Sequence, residues 1–301
     1  MGLESVLFGQ VMKIRTTFCD FRCRPCRKAG FSLTELLVVI AIMSLLMSIL
    51  LPCLSRARQQ VRTTICQSNI RQLYIANIGY ASDNDDYYVR AAHDMVTLDT
   101  GEPSSGGMHR WHGVRQSDGV HPDPNQNIFD PRKGPLGSYL ADGQVKQCPR
   151  FVEFVKDGNR NAFEAGCGGY GYNLMGVGSR SYKSSWAEDP MRSSMQTAEI
   201  DSPGKKVMFT DTAFLDGYSG DIIEYSFCEP PKFVFAGAGG VVERGRPQPS
   251  IHFRHLGATN VIFCDGHFSS EELSFPESKL KEPDQFKIGW FGPKDNSLFR
   301  P

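Results

Sequence analysis

Arg27-Lys28-Ala29-Gly30-Phe31-Ser32-Leu33-Thr34-Glu35-Leu36-Leu37-Val38-Val39-Ile40 decides how this chain of 301 residues is read. A basic patch passes through a small residue into an apolar run that carries one acid near its start. The run continues to Leu51, broken only by Ser44 and Ser48, and Pro52 follows. A stretch of about 20 apolar residues is long enough to cross a bilayer. Basic residues directly before it keep that end on the cytoplasmic side. Glu35 is the anomaly, because a carboxylate at bilayer depth costs at least ~2.5 kcal/mol on insertion scales. It needs a partner or a shallow position.

The net charge is zero, so no polyelectrolyte partner such as nucleic acid is implied. Residues 1–30 are basic (Lys13, Arg15, Arg22, Arg24, Arg27 and Lys28 against Glu4 and Asp20), which leaves the remainder mildly acidic. Met12 offers a second start, which would give a leader of ordinary length. Cys19, Cys23 and Cys26 have a C-x3-C-x2-C spacing that could hold zinc or an iron–sulfur cluster. It is similar to the cluster motif of radical S-adenosylmethionine enzymes. Those enzymes need a large α/β barrel after the motif, and here a membrane-length run follows at once. An ordinary secretory signal is also a poor match, since the run is too long and no A-x-A site follows.

Gly30-Phe31-Ser32-Leu33-Thr34-Glu35 resembles the cleavage and methylation motif of type IV pilins and type II secretion pseudopilins. Pro52 stands where pilins commonly carry a helix-kinking proline. The resemblance implies that prepilin peptidase cuts between Gly30 and Phe31 and methylates the new amine of Phe31. It also implies that the helix packs with copies of itself or with other pilin-like subunits. A Phe31 ammonium on a neighbour would then neutralise Glu35 in a low-dielectric bundle.

Beyond Pro52 the apolar positions thin out. Leu54, Val61 and Ile65, then Ile70, Leu73, Asn77 and Tyr80, recur at helical spacing and predict an amphipathic helix packed on a head. Asp83-Asn84-Asp85-Asp86 ends it. The cluster offers the oxygens that calcium takes, but lacks EF-hand spacing and the terminal Glu. Turn chemistry is the expected use. Residues 93–150 are rich in turn signals. His109, Trp111, His112 and His121 fall there without a recognisable ligand spacing, so an aromatic-anchored loop is expected rather than a metal site. Gly166-Cys167-Gly168-Gly169-Tyr170-Gly171-Tyr172-Asn173 is no phosphate loop, because the G-x4-G-K-[ST] pattern is missing; an extended strand is expected. Lys205 to Asp211 reads as a strand.

Val261 to Cys264 reads as a buried strand, Asp265-Gly266 as a two-residue hairpin turn, and His267-Phe268 as the start of the return strand. His255, nine intervening residues and Asp265-Gly266 resemble the signature of the H-x9-DG family of prepilin-processed proteins. Cys148-Pro149 and Tyr170 to Asn173 resemble further elements of it. His252, His255, Asp265 and His267 are weak candidates for a zinc site. The preferred role for His255 is to hydrogen-bond the hairpin turn and fix its register. A Ser-His-Asp triad can be drawn, but no nucleophile elbow is present, so no enzyme and no cofactor are expected. Cys148, Cys167, Cys228 and Cys264 are either two disulfides or buried thiols.

The expected fold is α+β: one long N-terminal helix, transmembrane then amphipathic, before a mostly antiparallel β head with long loops. The expected parts are a cleaved leader (1–30), a transmembrane and filament-core helix (31–54), and an amphipathic helix with its acidic turn (55–86). A β-rich head (87–275) follows, and then an extended tail (276–301) whose aromatic residues could tuck it on the head. The expected function is that of a structural subunit of a filament or secretion pseudopilus. The expected location is the bacterial inner membrane, in contact with its lipid, with the head in the periplasm or, within a filament, outside the cell. A membrane-tethered periplasmic binding protein for carbohydrate or metal, exported by the same leader, is the alternative.

Overall fold

A computed structural model describes residues 31–92, 108–115, 128–154, 164–182, 193–217, 220–237, 240–243, 247–275 and 286–301. The chain divides into two compact units, one up to Cys53 and one from Leu54 to Pro301. A single helix, α1 (Leu33–Asp83), contributes to both. The rest is short strands: β1 (Met108–Arg110), β2 (Gly113–Arg115), β3 (Tyr170–Tyr172), β4 (Val207–Asp211), β5 (Phe214–Leu215), β6 (Ile222–Ile223), β7 (Val234–Gly237), β8 (Gly240–Glu243), β9 (Ile251–His252), β10 (Ala258–Phe263), β11 (Phe268–Glu272) and β12 (Ile288–Gly289). The class is α+β, as expected.

The main sheet is antiparallel with the order β11-β10-β4-β3. Central β4 is buried at every residue, whereas β11 at the edge carries Ser269, Ser270, Glu271 and Glu272. Alternation along β10 sends Ile262 to one face and Val261 and Phe263 to the other. Ile262 joins the core shared with Cys66, Ile70, Leu73 and Ala76 of α1. Val261 and Phe263 join Phe253, Phe275, Trp290, Phe291 and Phe299. The stretch read as a tail therefore supplies, over residues 286–301, β12 and much of this second core. Asn173 pins it by donating to the carbonyls of Val207 (2.9 Å) and Phe299 (3.1 Å).

The buried face of α1 is Thr63, Cys66, Asn69, Ile70, Leu73, Ala76, Asn77 and Ala81. This corrects part of the helical pattern, because Leu54, Val61 and Ile65 are exposed. Asparagines occupy core positions because tyrosines answer them. Asn69 donates to the Tyr170 hydroxyl (3.1 Å) and Asn77 to the Tyr172 hydroxyl (3.2 Å). Asn77 Oδ1 accepts from the Val89 amide (2.9 Å). A buried polar group is tolerated only with such partners. The acidic turn ends α1 through Asp85 and Asp86, both left-handed (φ 50° and 62°), a conformation that Asp accepts more readily than most residues. Asp83 accepts from the Tyr139 hydroxyl (3.0 Å). Tyr87 makes a bridge to Gln196. Of the glycine-rich stretch only Tyr170 to Tyr172 is extended; Gly166, Gly168 and Gly169 have positive φ.

Glu229 is buried. Its Oε1 accepts from the Tyr225 hydroxyl (2.7 Å), and its Oε2 has no hydrogen-bond partner among the described residues. Burial pushes its carboxyl from 4.5 up to about 7. Between those values the folded chain holds a proton that the unfolded chain has released. Stability therefore falls as pH rises through this window, by about 3 kcal/mol in all. Glu229→Gln should remove that fall, so its melting-temperature advantage over the natural chain should grow from pH 5 to pH 8. A constant difference would show that Glu229 ionises normally.

Candidate functional site

α1 opens with a reciprocal cap. The Glu35 amide donates to Ser32 Oγ (3.1 Å), while Glu35 Oε2 accepts from the Ser32 amide and hydroxyl (both 2.9 Å). Ser32 and Glu35, three residues apart, form a capping box. The acid that looked unpartnered thus has partners in its own chain, at the helix end where the macrodipole also favours a negative charge.

Every residue from Phe31 to Arg58 is exposed. The two polar breaks in the apolar run are satisfied internally: Ser44 Oγ donates to the Ala41 carbonyl (2.9 Å) and Ser48 Oγ to that of Leu45 (2.7 Å). Such bonds are what an apolar surrounding requires. Pro52 lies within the helix and cannot supply the amide that the Ser48 carbonyl would otherwise accept. α1 is long and apolar enough to cross a membrane. Gly30 and the cysteines at 19, 23 and 26 lie outside the described residues.

Residues 25–51 match the prokaryotic N-terminal methylation motif. That match, with the apolar start of α1, supports a membrane-anchored, pilin-like protein processed at its N-terminus. No curated protein and no solved structure matches the chain.

The second candidate is in the head. His255 does not reach the hairpin turn; this corrects the role expected for it. Its Nε2 lies 3.3 Å from Asp211 Oδ2 and 3.6 Å from Cys148 Sγ, and its Nδ1 lies 3.2 Å from Thr63 Oγ1. Cys66 Sγ donates to Asp211 Oδ1 (3.1 Å). Arg254 completes the cluster. Its Nη2 donates to Asp211 Oδ1 (2.7 Å) and to the Gly169 carbonyl (2.6 Å), and its Nε donates to Cys148 Sγ (3.3 Å). All five side chains are buried.

The four weak zinc candidates do not converge. His252 is buried beside Arg254, and its Nε2 has no partner among the described residues. Asp265 and His267 lie beyond the other end of β10. A six-residue strand spans about 20 Å at ~3.3 Å per residue, so His255 and Asp265 stand at opposite ends of it. Asp265 Oδ1 instead accepts from the His267 amide (3.0 Å) and contacts its Nδ1 (2.6 Å). The turn is wider than two residues: Gly266 alone is left-handed (φ 85°), and its amide donates to the Phe263 carbonyl. That is a type I turn closed by a glycine bulge.

Both ends of the H-x9-DG stretch meet α1. His255 contacts Thr63, Asn260 accepts from Gln67 (3.4 Å), and a Cβ on Gly266 would lie 2.8 Å from the Tyr74 ring. Thr63, Gln67 and Tyr74 lie on one helical stripe. Gly266→Ala should cost about 1–2 kcal/mol from the left-handed backbone alone, lowering the melting temperature by about 2–4 °C per kcal/mol at this size. An unchanged melting temperature would remove Gly266 as the anchor of the turn.

Electrostatics in the cluster is set by burial against close partners. Burial alone would raise Asp211, but Arg254, His255 and the Asn260 amide hold it far below the usual carboxylate range. Burial alone would lower His255, yet Asp211 and Cys148 raise it to about 9. Cys148 is pulled down to about 4 against burial by Cys66, Arg254 and His255. Burial pushes Cys66 well up. In this form two anions, Asp211 and Cys148, face two cations, Arg254 and His255. A thiolate beside an imidazolium could attack an electrophile. Cys66 and Cys148 are wholly buried, so no substrate reaches them in this arrangement.

Cys66, Cys148, Cys167, Cys228 and Cys264 are buried free thiols, and Cys53 is an exposed one. Among residues 108–115, Trp111 donates to the Ser226 carbonyl (2.7 Å) and anchors the loop. His112 is buried with neither ring nitrogen partnered among the described residues, and burial with Arg110 and Arg115 nearby keeps it neutral. His121 lies outside the described residues. Cys66, Asp211 and Arg254 were missed as site residues. The only signal was that Cys66 shares a helical face with Ile70, Leu73 and Asn77.

Proposed function

We propose that this chain is a structural pilin-like subunit. Prepilin peptidase would cut after Gly30 and methylate the Phe31 amine. Residues 31–51 would first anchor the chain in the bacterial inner membrane. They would then pack against copies of itself or other pilin-like subunits, in a filament or a type II secretion pseudopilus. The observation that carries this reading is the methylation motif at residues 25–51, joined to an apolar helix without cover in the single chain. The stripe of Leu54, Val61 and Ile65 adds support, because it extends an exposed apolar surface beyond the membrane-length run. Contiguous surface of that kind marks a contact with lipid or protein.

The tethered binding protein stands second. Among the described residues one cavity of about 240 Å³ is lined by Tyr80, Arg90, His109, Arg110, Lys133 and Pro135. A second, of about 330 Å³, lies beside it at Tyr80, Asn84, Tyr87 and Arg90. Ligand pockets usually hold ~300–1,000 Å³, so the first falls below that range and the second sits at its lower limit. Mass spectrometry of the chain extracted from membranes tests the first reading. The expected N-terminal peptide begins at Phe31 and carries one added methyl group. A peptide that still contains Arg27 and Lys28 overturns it.

A further inference from the structure

We propose that Cys66, Cys148, Asp211 and His255 form a closed structural zinc site that fastens α1 to the head. Two thiolates, an imidazole and a carboxylate are ligand types zinc takes, and four protein ligands make a closed site rather than a catalytic one. The spacing fits. Bonds of 2.0–2.3 Å from a tetrahedral ion place neighbouring ligand atoms about 3.3–3.8 Å apart. The four ligand atoms lie within 4.8 Å of one another. Two edges measure 3.3 Å (His255 Nε2 to Asp211 Oδ2) and 3.6 Å (Cys148 Sγ to His255 Nε2), and Cys66 Sγ lies 3.1 Å from the other Asp211 oxygen, Oδ1.

The surrounding shell is built as metal ligands require. The Thr63 hydroxyl donates to the Gln59 carbonyl (3.0 Å), so towards His255 it can only accept. That places the imidazole proton on Nδ1 and leaves the Nε2 lone pair for an ion. A ring fixed through its far nitrogen is the usual arrangement of a ligating histidine. Arg254 and the Asn260 amide (2.8 Å) orient Asp211, and Arg254 Nε orients Cys148. Charge also closes. Two thiolates and Asp211 supply three negative charges, and zinc with Arg254 supplies three positive ones. The ion would replace two protons, the one on the Cys66 thiol and the one that His255 Nε2 holds beside the Cys148 thiolate, and both leave to solvent with no redox step.

The ligands come from α1, the Cys148 turn, the end of β4 and the segment before β10. They lie 44 to 82 positions apart along the chain, so binding would close three long loops at once. Binding free energy in such a site adds to folding free energy.

The test uses full-length protein extracted in detergent without added metal or chelator. Elemental analysis should find about one zinc per chain. Intact mass under denaturing, non-reducing conditions should show Cys66 and Cys148 as free thiols. The His255→Ala chain should lose the metal, and the Cys228→Ser chain, which alters a buried thiol elsewhere, should keep it. Because His255→Ala could fail to fold, Thr63→Val serves as the second variant. It keeps every ligand and nearly the same volume, and should weaken zinc by about 10–100-fold in chelator competition. A natural chain without zinc overturns the proposal. So does a chain two hydrogens lighter through a Cys66–Cys148 disulfide, or a Thr63→Val chain with unchanged zinc affinity.

Discussion

Glu35→Gln should leave the chain inserted in the membrane and stop it assembling. Glutamine in the third helical position can still take part in a capping box, so the start of α1 and its insertion survive. What is lost, in the proposed assembly, is the negative charge that would face the Phe31 ammonium of a neighbouring subunit. Removing one partner of a desolvated ion pair costs about 3–5 kcal/mol, more than about a hundredfold in assembly at 1.4 kcal/mol per decade. Glu35→Ala also removes the side-chain half of the capping box, leaving the bond from the residue 35 amide to Ser32 Oγ, and should be no better. Membrane fractionation reports insertion, and the amount of sheared filament reports assembly. A Gln variant with natural filament yield would reduce Glu35 to a local cap. The Ser32 contacts make this comparison necessary, because they give the carboxylate a role that needs no second subunit.

The second large effect is expected in the head. Arg110 Nε donates to both Glu164 oxygens (2.9 and 3.2 Å), and Ser226 Oγ adds a third bond (2.7 Å). Both charged side chains are only 2% exposed. Burial already pushes the Glu164 carboxyl up, with Arg110 opposing the shift. Arg110→Met should therefore cost about 3–5 kcal/mol. The orphaned carboxyl would take up a proton, which limits the penalty. Urea unfolding of the full chain in detergent, followed by tryptophan fluorescence, measures the loss; Trp111 is buried next to Arg110 in sequence. Adding Glu164→Gln to Arg110→Met should recover much of it. A double variant as unstable as the single one would mean that Arg110 acts through packing on Phe129 and Phe227 rather than through charge.

Local order was legible where it depended on neighbours in the chain. The apolar run, its acid and its proline lie within one stretch, and a helix needs only contacts three and four residues away. The strand at Val207 to Asp211 and the hairpin around Gly266 were legible for the same reason. The inward face of α1 was half legible. Ile70, Leu73 and Asn77 recurred at the correct spacing, but nothing local said that Thr63 and Cys66, rather than Val61 and Ile65, turn inward. That choice depends on Tyr170 and His255, which are far off in sequence. The aromatic residues of 286–301 pointed to a tail tucked on the head, but not to β12 pairing with β9 or to a second core around Trp290 and Phe299, which depend on distant segments.

By itself the sequence determined the N-terminal half of the biology. A basic patch, Gly30, Phe31, Glu35 and the apolar run act through solvation and local hydrogen bonding, and both are properties of a short stretch. Only the tertiary structure decided the head. Which histidine partners which acid depends on where distant segments cross. His255 meets Asp211, Cys66 and Cys148 rather than Asp265 because β10 carries Asp265 away to its far end, while α1 and β4 bring the others in.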